Sequence, residues 1–441
     1  MCCLMVVIFP DFLFYVNCQI NAKNITIFTL WSYFLSKKTM IKNIVYLFIV
    51  ALIFPLYVSA QTFNKNAFLK DYSKDLIITT QVRGERNKAI LRGTEAKKNR
   101  EFVLQNYNGI QPSIYPAWDN GFWPSKKPAS VNNIKIQTSG LDELVNWGEI
   151  NNFHIIHHCL FFPNKYFPKW FSNTKYSKKE LEKLMEIYID EVLNSNNNKD
   201  KVDVFNLINE IFAMNKSGHY RISGNGKENC KWMDMGFEKD QSRLEGRQKI
   251  NKEHPIFVRK AFECASKITN AKLEIRDFNI AFGGGKSDGM YQLIKHLKNL
   301  GVKIDAVGFQ CHLNADGGYN YNDLKENILR FIELGVEVYI TELDVGLNLW
   351  SKDGNHKKVS DVIKSSKDWE KFFELQNEVY YKVVKTAKDA GVSLISDWGF
   401  RDDIPYGGWR KDQKAWMVNK NYTRKGAYHS VLMALFDSSN E

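Results

Sequence analysis

Glu342 lies toward the end of the run Val336-Glu-Val-Tyr-Ile-Thr-Glu-Leu-Asp-Val345, a β-branched and aromatic stretch with period-2 alternation that also carries Asp344. Such a run reads as a buried strand with acidic chemistry at its C-terminal end. Burying a carboxylate is costly, so an acidic strand end calls for a partner or a task. A second glutamate, Glu210, closes Val202-Asp-Val-Phe-Asn-Leu-Ile-Asn-Glu210 in the same way. Two carboxylates at strand ends project from one rim of a barrel. Facing each other across a cleft, they form the pair that cleaves a glycosidic bond: one gives a proton to the leaving oxygen, the other attacks the anomeric carbon. A separation of about 5–5.5 Å gives retention through a glycosyl-enzyme.

The elements that must hold this pair alternate along the chain. Strands are expected at Phe153–Leu160, Val202–Ile208, Lys272–Ile280, Ile304–Leu313, Val336–Leu343 and Ser393–Trp398, with earlier ones at Leu76–Gln81 and near Asn106–Ile110. Helical patterns fall at Lys178–Leu193, Pro255–Thr269, Gly289–Leu300, Tyr321–Leu334 and Trp369–Ala390. Eight strands with helices between them predict an α/β fold, a TIM (β/α)8 barrel with catalysis at the strand C-terminal ends. The polar stretch Gly218–Arg247 reads as a loop over that face.

The flanks of the two glutamates resemble glycoside hydrolase family 10, the β-1,4-xylanase family. Asn209-Glu210 resembles its acid/base motif and Ile340-Thr341-Glu342-Leu343-Asp344 its nucleophile motif. Ile304-Asp-Ala-Val-Gly-Phe-Gln-Cys-His-Leu313 is similar to its sixth strand, Trp398-Gly399 with Asp402 to its eighth, and Asn421-Tyr422 to Ala427-Tyr428 to its closing helix. Asp277-Phe278-Asn279 is similar to the fifth-strand motif, with Arg276 where the family usually has Asn. The resemblance implies Glu342 as nucleophile and Glu210 as general acid/base, its proton held by burial and by the charge of Glu342. It also implies substrate contacts from Asn209, His158, Gln310, His312 and Trp398, and no metal or cofactor.

The front half departs from the family. Tyr107–Trp118 aligns with the second-strand motif, yet Ser113, Ile114 and Ala117 stand where Glu, Asn and Lys are usual. His158 is kept, while the Trp-His pair that follows is Phe162-Pro163. Stacking from Trp118, Trp123, Trp170 or Tyr166 is expected to replace the lost polar contacts. The expected function is therefore a retaining hydrolase of β-1,4-xylosidic bonds in xylan. The alternatives are another β-linked or decorated plant or algal glycan, or a catalytically weakened carbohydrate-binding protein.

Residues 40–60 read as a signal peptide, with Lys37, Lys38 and Lys42 before an apolar run and Val58-Ser59-Ala60 at its end. Residues 1–39 read as an upstream extension with a misplaced start, 61–100 as a segment leading into the barrel, and 101–441 as the barrel. A secreted product, extracellular or periplasmic, is expected, anchored to the membrane only if residues 41–60 stay uncleaved. The net charge is +12, of which Lys23, Lys37, Lys38, Lys42 and Asp11 account for +3 in the first 60 residues. The remaining basic residues are dispersed, which excludes a nucleic-acid footprint and leaves a polysaccharide as the partner of an expected monomer. Three patterns lead elsewhere. His154, His157 and His158 alternate faces on a strand and cannot converge on a metal. Gly283-Gly-Gly-Lys286-Ser287 lacks the first glycine of a phosphate loop and reads as a flexible rim loop. Cys159, Cys230, Cys264 and Cys311 show no CxxC spacing, and Cys159 and Cys311 read as small core residues.

Overall fold

The computed structural model describes residues 2–9, 12–21, 24–31, 62–73, 75–83, 90–117, 121–350, 355–402 and 410–437. The chain divides into two units, Met1–Thr62 and Phe63–Glu441. The first holds a three-stranded antiparallel sheet, Cys2–Phe9, Phe12–Asn21 and Asn24–Trp31. The signal-peptide stretch lies outside the described residues. Among the described residues no helix is long and apolar enough to cross a membrane.

The second unit is a closed barrel of eight parallel strands: β1 (Ile77–Val82), β2 (Gly109–Pro112), β3 (His154–Phe161), β4 (Val204–Asn209), β5 (Lys272–Asp277), β6 (Ala306–Phe309), β7 (Glu337–Gly346) and β8 (Leu394–Asp397). Each strand pairs with the next in sequence, β8 returns to β1, and β6 pairs directly with β7 to complete the ring. The TIM barrel read from the alternation is therefore the fold. One boundary is corrected: β1 lies between β8 and β2, so the barrel starts well before residue 101.

Each strand is followed by a helix: α1 (Ala96–Asn106), α2 (Ser139–Ile150), α3 (Lys178–Asn194), α4 (Ile256–Ser266), α5 (Gly285–Asn299), α6 (Tyr321–Glu333), α7 (Ser366–Asp389) and α8 (Gly426–Asp437). Helix α3 starts on a capping box in which Ser177 and Glu180 satisfy each other's exposed amide groups. Its apolar stripe Leu181, Leu184, Met185, Tyr188, Ile189 and Val192 packs inward at helical spacing. Inside the barrel, Ile156, Val204, Ala306, Tyr339 and Leu394 form one buried layer from five strands, with Ile77 against it. That layer closes the bottom of the barrel and leaves the polar residues to its C-terminal mouth.

Two local readings change. The expected strand Ile304–Leu313 breaks after Phe309, because Cys311 turns to φ +58°, and His312–Asn314 pairs with the far end of β7. The glycine stretch is not a free loop from end to end. Gly283 and Gly284 take positive φ, but Gly285 begins α5 and places Lys286 and Ser287 in its buried first turn.

Candidate active site

Glu210, Asn279 and Cys311 each take positive φ (+54°, +56° and +58°) just past β4, β5 and β6. Non-glycine residues held there store strain, which surrounding bonds must hold in place. Glu210 is fixed by its amide donating to the Arg276 carbonyl (3.0 Å) and by Arg221 Nε donating to its own carbonyl (2.7 Å). Its carboxylate takes Arg221 Nη2 at 3.3 Å and Gln310 Nε2 at 3.5 Å. Burial pushes its pKa up to about 7, and the charge of Asp277 adds to this more than that of Glu342 does; Lys165 and Arg221 oppose both. Burial and the charge of Glu342 act as the sequence predicts, and Asp277 adds an influence that no local pattern signals.

Glu342 is buried on β7 and receives three cationic or polar neighbours. His312 Nε2 lies 3.1 Å from its Oε2, Arg276 Nη1 3.4 Å from its Oε1, and His158 Nδ1 3.8 Å from the same oxygen. The expected His312 contact is present. Asp344 does more than the sequence indicated: it takes His312 Nδ1 at 2.9 Å and Arg410 Nε at 3.0 Å. Burial alone would lower the His312 pKa, but the two carboxylates overcome it and push the imidazole up to about 9. Asp344 stays below its ordinary value despite burial, because Arg410 and His312 face it. Glu274, Arg276, Glu342, His312, Asp344 and Arg410 thus form a chain of alternating sign through the barrel mouth.

The other expected residues gather around the pair. Gln310 Nε2 donates to Asn209 Oδ1 at 3.1 Å, which fixes the amide so that the buried Asn209 Nδ2 has no protein partner among the described residues. Trp398 is buried, edge-on to His158 (5.2 Å between ring centres) and to His312 (5.9 Å). Trp118 lies outside the described residues. Of the other stacking candidates, Trp123 is corrected to a core residue, wedged among Phe167, Phe171, Tyr188 and Trp232. Trp170 is half-buried beside it, its indole N–H bonded to the Pro124 carbonyl. Tyr166 remains: it stacks on Phe162 at 3.6 Å, and Tyr115 stacks on both at 5.3 and 5.8 Å. Where the family motif has polar groups, Ser113 bonds back to Gln111 and Ile114 is buried in the core.

The histidine pattern His154, His157 and His158 does not converge: His154 is half-exposed beside Asp203, and His157 is buried against Phe122 and Phe205. A different group, Asp240, His254 and His296, brings its ligand-type atoms within 4.8 Å of one another. Protein partners account for each ring nitrogen there. Tyr220 Oη meets His254 Nδ1 (2.6 Å) and Asp240 meets its Nε2 (3.1 Å). The Gln241 amide donates to His296 Nδ1 (2.9 Å), and Glu238 takes Nε2 (3.1 Å). The cluster pins the hairpin Phe237–Lys239 and Glu253–Pro255 to α5. Cys159, Cys230, Cys264 and Cys311 are free thiols, and Cys159 and Cys311 are buried as expected.

Residues 120–434 match the sequence profile of glycosyl hydrolase family 10. The chain belongs to this family. As a family 10 enzyme it is a glycoside hydrolase, and the match spans every strand from β3 to β8. Its relatives include endo-1,4-beta-xylanase B of Thermotoga neapolitana, 27% identical over 341 residues, which cover 76% of this chain and 83% of the relative. Endo-1,4-beta-xylanase 2 of Aureobasidium pullulans is 26% identical over 343 residues, 75% and 80% of the two chains. Among solved structures, xylanase 10B from Thermotoga petrophila RKU-1 in complex with xylobiose superposes with a TM-score of 0.67 at 24% identity, covering 86% of this chain and 100% of that one. Native xylanase 10B from Thermotoga maritima gives 0.65 at 24% identity, covering 84% and 99%. These likenesses show the same barrel fold over most of the chain.

Proposed function

We propose that this family 10 enzyme hydrolyses β-1,4-xylosidic bonds in xylan with retention of configuration. Glu342 attacks the anomeric carbon, and Glu210 protonates the leaving oxygen and then takes the proton of the incoming water. The observation that carries this reading is the unlike setting of the two carboxylates. Glu210 is pushed up to about 7, where it can hold a proton near neutral pH, whereas Glu342 is ringed by Arg276 and His312. The names of the Thermotoga and Aureobasidium relatives supply the xylan. Asn209 Nδ2, fixed by Gln310 and otherwise unpartnered, is set to bind a sugar hydroxyl, and Trp398 offers the sugar an apolar wall.

A second reading, a decorated β-linked glycan, draws on the Tyr115–Phe162–Tyr166 stack. It replaces polar groups by flat apolar surface with Lys165 at its edge, 5.1 Å from the Tyr166 ring. Secretion through residues 40–60 and a monomeric state belong to the same proposal. Product analysis on xylan, glucuronoxylan, arabinoxylan and β-glucan, with Glu342→Gln as control, tests it. Turnover persisting in that variant would remove Glu342 from the nucleophile's role, and activity on β-glucan alone would remove xylan.

A further inference from the structure

Arg276 is fully buried in the barrel interior, where an arginine needs a full set of acceptors. Its Nε and Nη2 are taken by the two oxygens of Glu274 at 2.7 and 2.6 Å. That bidentate pair would suffice for a structural ion bridge. The remaining nitrogen, Nη1, does something else. It lies 3.1 Å from Gln111 Oε1, 3.2 Å from His158 Nδ1 and 3.4 Å from Glu342 Oε1. Gly308 on β6 makes room for the arrangement, since a Cβ there would collide with Glu274 Oε1 and sit 2.7 Å from Arg276 Cβ.

A guanidinium only donates, so His158 Nδ1 must accept, and the ring proton is left on Nε2. Burial, and next to it the Arg276 charge, hold His158 well below its ordinary pKa and therefore neutral. Nε2 is buried and no hydrogen bond of ordinary geometry reaches it among the described residues, with Asn206 on β4 as the further polar side chain that acts on the ring. The ring itself is gripped edge-on by Tyr115 (5.6 Å), Phe162 (6.0 Å) and Trp398 (5.2 Å). One charge thus touches both the nucleophile candidate and the imidazole beside it.

We infer that Arg276 is a positioning residue for catalysis, which locks His158 as an Nε2–H donor to a hydroxyl of the sugar held at Glu342. The inference rests on the proposed glycosidase site. A group behind the site that fixes a histidine tautomer is a familiar device, and here the arginine also ties that tautomer to the position of the attacking carboxylate.

The test has two arms. Long-range 1H–15N spectra of the native protein should show His158 as a single neutral Nε2–H tautomer. Replacing Arg276 by Asn together with Glu274→Gln keeps the buried charges balanced, and Arg276→Lys serves as a second variant with the charge kept and the fork removed. In the double variant the His158 nitrogen shifts should move toward a mixture of tautomers while those of His312 stay put. The kinetic arm uses aryl β-xylobiosides lacking one hydroxyl at a time on the sugar being cleaved. The native enzyme should lose about tenfold or more in kcat/KM for one of them, and in the double variant that penalty should fall to about threefold or less. A native Nδ1–H tautomer, or an unchanged tautomer and deoxy penalty in the double variant, overturns the inference. Failure of the native enzyme on every xylobioside rejects the xylan reading instead, and the spectra still decide the role of Arg276.

Discussion

Arg221 Nη2 lies 3.3 Å from Glu210 Oε2, and Nε of the same side chain donates to the Glu210 carbonyl at 2.7 Å. A buried cation thus touches the carboxylate proposed as the acid. It works against the burial that pushes Glu210 up to about 7, and its own charge is shared with Glu228 at 3.0 Å. The segment that carries Arg221 therefore offsets part of the rise that burial gives the pKa of Glu210.

Arg221→Met should move the alkaline limb of kcat/KM upward from about 7. The sign follows from electrostatics: removing a cation disfavours the ionised carboxylate, so the proton is held to higher pH. A pH profile on a soluble xylo-oligosaccharide checks this. A limb that stays in place or moves down would mean that Arg221 acts on Glu210 through the backbone alone.

Glu210→Ala should separate the two chemical steps. With an ordinary sugar leaving group, loss of the general acid should cost on the order of 10²–10⁴ in kcat/KM. With a dinitrophenyl leaving group, which needs no proton, the first step should survive and a burst of phenolate should appear. Added azide should then restore turnover as a glycosyl azide of retained configuration. Equal losses for both leaving groups would take Glu210 out of the acid/base role.

His312 links the site to folding stability. Its pKa is raised from 6.5 to about 9 by Asp344 and Glu342 in the folded protein. A raised folded value means that the native state binds the proton more tightly, so the contribution is fully present below about pH 6.5 and is lost as pH rises through about 9. The shift corresponds to roughly 3 kcal/mol. Glu210, raised to about 7, overlaps only the lower edge of this window. Denaturant unfolding at pH 6 and pH 9 should show the fall in the native enzyme and a flatter profile in His312→Gln. Equal slopes in the two proteins would refute it.

The barrel was legible because parallel strands buried on both faces read as short apolar runs, and six of them sat between clear helical patterns. Glu210 and Glu342 were legible because each lies at or toward the end of such a run. Asp344 looked secondary because its partner, Arg410, is 66 residues away in sequence and no local pattern announces it. Trp123 was misjudged for a different reason: an aromatic near a rebuilt motif reads the same whether it faces sugar or core, and only the surrounding rings Phe167, Phe171 and Trp232 decide. Arg276 was noticed as a departure from the family, but its reach to His158 and Glu342 crosses three strands and could not be read along the chain.

Lys286 shows how a misleading pattern became part of the site. Its Nζ lies 2.5 Å from Asp277 Oδ1 and 3.3 Å from the centre of the Phe278 ring, fully buried in the first turn of α5. Asp277 Oδ2 also accepts the Phe212 amide at 3.1 Å, two residues past Glu210. Breaking a buried ion pair from one side leaves an uncompensated charge, so Lys286→Met should destabilise the protein by about 3–5 kcal/mol. Removing both charges in Asp277→Asn with Lys286→Met should recover much of that loss. The same double variant should lower the alkaline limb of kcat/KM by the excess of the Asp277 charge, the largest influence after burial holding Glu210 up, over the Lys286 charge that opposes it. Chemical denaturation of the three variants, paired with the pH profile of the double variant, checks both parts. Recovered stability with an unmoved limb would confine the Asp277–Lys286 pair to the fold.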